Sequence, residues 1–137
     1  MFGIYQDIVL DVTPAKAFVI FTTETGLNSW WTDQCKADCQ IGGTYEFHFN
    51  PDYHWLAEVL ELVEPKYITW VFTDADSDWT DTRLSFRLIH SNDKLILRME
   101  HTGWKTRNHH FRHTSYCWAQ YLRKLKEALI STSELFY

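Results

Sequence analysis

Residues 108–130, NHHFRHTSYCWAQYLRKLKEALI, decide the fold. Apolar or small side chains recur at Phe111, Ser115, Trp118, Leu122, Leu125 and Leu129, the three-and-four spacing that gathers them on one stripe of a helix. Tyr121 and Ala128 widen the stripe. Arg112, Gln120, Arg123, Lys124 and Glu127 fill much of the remaining circumference, and no Gly or Pro interrupts. A helix of about 20 residues spans roughly 30 Å, the width of a small domain. The stretch therefore predicts one long helix with a wet face and a face laid against something apolar.

What precedes it reads mainly as strand. Ile4, Ile8 and Leu10 share a parity and predict a first strand over residues 3–12, ended by Thr13-Pro14, where Thr13 can cap a helix and Pro14 suits its first turn. Ala17, Phe18 and Phe21 predict a short helix stopped at Gly26, and Leu27 to Trp31 a second short helix or turn. From Gly42-Gly43 the period becomes two. Tyr45, Phe47 and Phe49 form one face, Ile68, Trp70 and Phe72 another, Leu84, Phe86 and Leu88 a third, and Leu95, Leu97 and Met99 a fourth, with His101 next in that phase. Residues 55–63 are also strand-like, but Glu58 and Glu61 fall on opposite parities, which predicts a bulge or an exposed rim. Asn50-Pro51-Asp52 and His90 to Asp93 supply turns. About six antiparallel strands, with helices held apart from them, make the class α+β.

The 137 residues are expected to form a single domain, 1–137. Seven Trp, seven Tyr and nine Phe must be accommodated, and rings of that size leave gaps unless their shapes match. The formal charge is −5 with no Lys or Arg run, so a nucleic-acid partner has no electrostatic footprint. No stretch reaches the ~18 apolar residues of a membrane span, and the N-terminus lacks the pattern of a secretory signal. Three sparse cysteines, Cys35, Cys39 and Cys117, form no disulfide framework. A cytoplasmic protein is the expectation.

Several pieces stand in an order that resembles a known family. They are Thr13-Pro14-Ala15 through Phe18 and Phe21, Thr23 with Gly26-Leu27 and Trp30-Trp31, and Gly42-Gly43-Thr44-Tyr45. Then follow Val59 to Pro65, Thr69-Trp70, Thr82-Arg83-Leu84, His101-Thr102-Gly103-Trp104, and Trp118 with Leu122 to Leu125. Together they resemble the helix-grip superfamily of START and Bet v 1-like (SRPBCC) domains, in the branch related to the C-terminal domain of the Hsp90 ATPase activator. The resemblance implies a seven-stranded antiparallel sheet curled around the C-terminal helix, with a cavity between them that takes an apolar small molecule in many relatives. The activator's separate N-terminal domain has no counterpart in these residues. A chaperone or another protein is the partner that this branch implies.

Fold alone does not give function, so the side chains must be weighed. His109 and His113 lie one helical turn apart, but a solvated first turn accounts for them and for His110, and no metal is expected. Cys35 and Cys39, three residues apart, read as loop cysteines. Asp74, Asp76 and Asp78 imitate a calcium loop, yet Trp79 stands where that loop needs Gly and Ser85 where it needs Glu; residues 74–81 read as an exposed polar hairpin. No strained turn or orienting carboxylate activates Ser115, and no catalytic set or cofactor is expected. The candidate ligand-binding residues are Trp31, Phe47, Trp70, Phe86, His101, Phe111, Ser115, Trp118, Tyr121 and Leu122. Binding of an apolar or aromatic small molecule is the first reading, with a protein-interaction module second. A cyclase- or hydrolase-like enzyme using His101 or Glu58 is third. A monomer or homodimer is expected, and the tail Leu135-Phe136-Tyr137 could dock on a neighbour.

Overall fold

The computed structural model describes residues 1–134, with the side chains of 1–130. The chain runs β1 (Phe2–Leu10), α1 (Pro14–Thr22), α2 (Glu24–Asn28), β2 (Gln34–Lys36), β3 (Thr44–Phe49), β4 (Tyr53–Val63), β5 (Tyr67–Asp74), β6 (Arg83–Ser91), β7 (Lys94–Trp104) and α3 (His109–Glu134). One antiparallel sheet has the order β1-β7-β6-β5-β4-β3-β2. Its two edge strands, β1 and β2, are consecutive in the chain and are joined by the α1–α2 pair. The expected tail contact at 135–137 lies outside the described residues.

The local chemistry explains the joints. The Thr13 hydroxyl accepts from Lys16 N at 3.3 Å with Pro14 behind it, a capped helix start. Thr23 ends α1, and its hydroxyl also caps α2 by accepting from Gly26 N at 3.0 Å. Gly26 is therefore not the stop that its residue type predicts; it lies inside α2. There a Cβ would stand 2.4 Å from the Val19 carbonyl oxygen, so the glycine lets the two short helices meet at close range. Asn92 and Asp93 both take positive φ, 50° and 65°, at the β6–β7 hairpin, the left-handed geometry that Asn and Asp tolerate best. The conflicting parities of Glu58 and Glu61 come from a register shift between Val59 and Glu61, which leaves both carboxylates outward while Ala57 and Val59 stay buried.

A seventh strand, β2, brings the sheet to the number the resemblance implied. Its three residues are too few to show a period, yet Cys35 pairs with Phe47 of β3 and is buried. Cys35 is thus a strand residue and not a loop cysteine. Burial, and then the charges of Glu24 and Glu46, push its thiol up to about 12, so it stays protonated and unreactive at neutral pH.

The core fills the space between sheet and α3. Tyr45, Phe47, Trp70, Phe72 and Phe86 have no exposed surface and meet at ring-centroid distances of 5.2 to 5.9 Å, separations at which edge-to-face pairs are attractive. From α3, Trp118, Leu122, Leu125 and Leu129 enter this core. The stripe departs from its expected course at one place. Thr114 is buried and Ser115 only half-buried, and the Ser115 main-chain carbonyl accepts from Gln6 Nε2 of β1 at 2.9 Å. No helix among the described residues is long and apolar enough to cross a membrane.

Candidate functional site

A hollow of about 460 Å³ remains beside the first half of α3. Its walls come from α3 (His110, His113, Thr114, Cys117, Trp118, Tyr121), the β3–β4 hairpin (Phe49, Tyr53, Trp55), the β5–β6 connection (Asp76, Trp79) and Trp31 after α2. Five of the rings form a closed circuit. Trp118 meets Trp31 at 5.2 Å, Trp31 meets Phe49 at 5.3 Å, and Phe49 meets Trp55 at 5.2 Å. Trp55 meets Trp79 at 4.7 Å, and Trp79 returns to Trp118 at 6.1 Å. Tyr53 and His113 are exposed at the rim.

Three of the ten expected ligand residues, Trp31, Trp118 and Tyr121, face this space. Phe47, Trp70, Phe86 and Leu122 lie in the packed core. Phe111 packs on Trp104 at 5.3 Å and on Phe2 at 6.5 Å, and neither it nor Ser115 lines the hollow. The adjacent rings Trp30 and Trp31 stack on each other at 5.8 Å, but only Trp31 reaches the hollow; the Trp30 indole donates to the Ile20 carbonyl at 2.9 Å.

His101 is committed to the protein. The Trp118 indole donates to its Nδ1 at 3.1 Å, so Nε2 carries the proton and donates to Thr82 Oγ1 at 2.9 Å, while the Thr82 hydroxyl donates to the Trp79 carbonyl. The ring has no exposed surface, and its pKa falls to about 3, burial being the main cause and the nearby His110 the lesser. A neutral imidazole with both nitrogens engaged joins α3, β7 and the β5–β6 connection, and it has no vacant position for proton transfer. Glu58, on the outward parity of β4, lies away from it. These placements give no support to His101 or Glu58 as the acid or base of a cyclase- or hydrolase-like enzyme.

Residue patterns did not reveal Phe49, Tyr53, Trp55, Asp76, Trp79, His110, His113, Thr114 or Cys117 as wall residues. The connection 75–82 is polar in composition, yet Trp79 folds back beneath it and is buried against Trp55, Phe72 and Trp118. One signal was available: His110, Thr114, Cys117 and Tyr121 recur at helical spacing and mark a second stripe on α3. Cys117 Sγ lies 3.4 Å from His113 Nε2. Burial raises the Cys117 pKa, the opposite of the activation that a nucleophilic thiol needs.

A seven-stranded sheet laid against a long C-terminal helix, with a hollow between them, defines a helix-grip domain. The family model described as "Activator of Hsp90 ATPase homolog 1-like protein" matches residues 11–130, and the chain belongs to that family. Among solved structures, the Aha1 dimer from Colwellia psychrerythraea is 28% identical, with a TM-score of 0.84 over 94% of this chain and 96% of that one. Protein MLL2253 from Mesorhizobium loti superposes with a TM-score of 0.84 at 17% identity, covering 95% of this chain and 98% of its own. CalU16 from Micromonospora echinospora gives a TM-score of 0.77 at 17% identity, covering 93% and 75%. These last two likenesses concern the fold alone. No curated protein matches the sequence.

Proposed function

We propose that the chain binds an aromatic or apolar small molecule in the hollow between α3 and the β3–β4 end of the sheet. The closed circuit of Trp31, Phe49, Trp55, Trp79 and Trp118 around about 460 Å³ carries this reading. Flat apolar walls favour a flat guest through burial and ring stacking, and the volume falls in the usual range for small-molecule sites. Thr114, Tyr121 and His110 supply the few polar groups that would orient it. Among the residues expected from the sequence, Trp31, Trp118 and Tyr121 are retained as ligand contacts.

Thermal unfolding in the presence of a panel of aromatic compounds tests this. A guest at 100 times its Kd adds about 2.7 kcal/mol, a shift of several degrees for a domain of this size. The same guest should lose affinity with Trp55→Ala. Shifts with none of the panel would favour a role for the outer surface. Membership in the Hsp90-activator family supports that second reading, a protein-interaction module; capture of Hsp90 by the immobilised full chain, undiminished by Trp55→Ala, is its expected result.

A further inference from the structure

The β5–β6 connection sets two carboxylates against the first turn of α3. Asp78 Oδ2 lies 2.9 Å and Asp76 Oδ1 3.4 Å from the same atom, His110 Nδ1. One ligand atom from each residue lies within 4.8 Å of the other two. With metal–ligand distances of ~2.0–2.2 Å, neighbouring ligands in an octahedron stand ~3.0 Å apart and in a tetrahedron ~3.4 Å. The two spacings from Nδ1 fall in that range, and all three atoms lie close enough together to share one ion.

We propose that Asp76, Asp78 and His110 bind a divalent transition-metal ion, of the zinc, cobalt or nickel kind. One imidazole and two carboxylates suit these ions better than calcium, which prefers a larger set made entirely of oxygens. The ion replaces the proton that His110 Nδ1 otherwise shares with the carboxylates. Residues 74–81, DADSDWTD, hold four aspartates and no Lys or Arg, a local excess of negative charge that a cation offsets.

The ligands are held from behind. Asn108 caps α3 by accepting from Phe111 N at 2.9 Å, and its amide reaches Asp78 Oδ1 at 3.4 Å. The Asp76 carbonyl accepts from Trp79 N and Thr80 N, both at 2.9 Å, and the Trp104 ring stands at 87° to the His110 ring at 5.8 Å. Such outer partners fix the orientation of ligating groups.

Asp76 and His110 also line the hollow, so three protein ligands leave coordination positions beside it, the arrangement that lets an ion touch a guest. In the same wall, Trp79 is 6% exposed and its buried indole N–H has no partner among the described residues. The proposal is independent of any guest: the site either takes the metal or does not.

The test uses the full chain, freed of metal by chelator and titrated with Co²⁺ and Zn²⁺. One equivalent is expected to bind, Co²⁺ giving a visible d–d spectrum that Zn²⁺ displaces. Asp76→Asn and His110→Asn, each checked for unchanged circular dichroism, should weaken binding at least about tenfold. His109→Asn should leave it unchanged, since that exposed ring belongs neither to the three ligands nor to the hollow. Failure of the unaltered chain to bind one equivalent, full retention in Asp76→Asn, or loss in His109→Asn would each overturn the proposal.

Discussion

Acidification reports directly on His101. In the folded chain its ring is fully buried, it accepts from Trp118 and donates to Thr82, and its pKa stands at about 3 instead of 6.5. Because the folded pKa is the lower one, the unfolded chain takes up a proton that the folded chain refuses. The stability tied to this group is complete above pH 6.5 and drains away as pH falls toward 3. The limiting slope is about 1.4 kcal/mol per pH unit, so moving from pH 7 to pH 5 costs about 2 kcal/mol through this residue alone. Urea unfolding of the parent chain and of His101→Gln at both pH values isolates that share from the other six histidines. The variant is less stable at pH 7, having lost two buried hydrogen bonds, but its loss between pH 7 and pH 5 is smaller by about 2 kcal/mol. Equal losses in the two proteins would refute the reasoning, since His101 would then carry the same proton folded and unfolded.

Trp118→Phe and Trp70→Phe delete the same atoms, but Trp118 donates to His101 while the buried Trp70 indole N–H has no partner among the described residues. The first should cost about 1–3 kcal/mol more than the second in chemical denaturation. Gly26→Ala puts a Cβ against the backbone of Val19 and Ile20; a loss of about 1–3 kcal/mol is expected, read as a lower urea midpoint at constant slope. Phe86→Ala, in the packed core, should cost about 3–5 kcal/mol. Tyr53→Ala, half exposed at the rim, should change stability by no more than about 0.5 kcal/mol while weakening an aromatic guest.

The fold was legible because its signals are long and redundant. Twenty-three residues of unbroken helical spacing and four clean alternations leave little choice of class, and the ordered motifs supplied the topology. The features that went unread are short or depend on partners remote in sequence. β2 has three residues and no period; Gly26 looks like a helix stop until the close approach of α1 is known. The site was legible on its helix side and at Trp31. Trp118 and Tyr121 announce themselves by spacing, whereas Trp79 sits in a run of aspartates whose composition says solvent, and only the packing of Trp55 and Trp118 beneath it reverses that reading. His101 could be assigned to the interior from its phase, but not its partners: Thr82 is 19 residues away and Trp118 is 17. Alternation likewise could not tell a filled core from a hollow one. The chain has both, with Phe47, Trp70 and Phe86 packed solid and the space confined to the neighbourhood of Trp31, Trp55 and Trp79.

The seven tryptophans divide cleanly for a decisive experiment: Trp31, Trp55, Trp79 and Trp118 line the hollow, and Trp30, Trp70 and Trp104 do not. Indole N–H resonances in a two-dimensional nitrogen–proton spectrum, followed while a stabilising aromatic compound is added, read the site of binding residue by residue. Ligand capture in the hollow predicts large shifts for the first four and small ones for the other three. Shifts confined to Trp30, Trp70 and Trp104, or no shift in any indole at saturating compound, would contradict it.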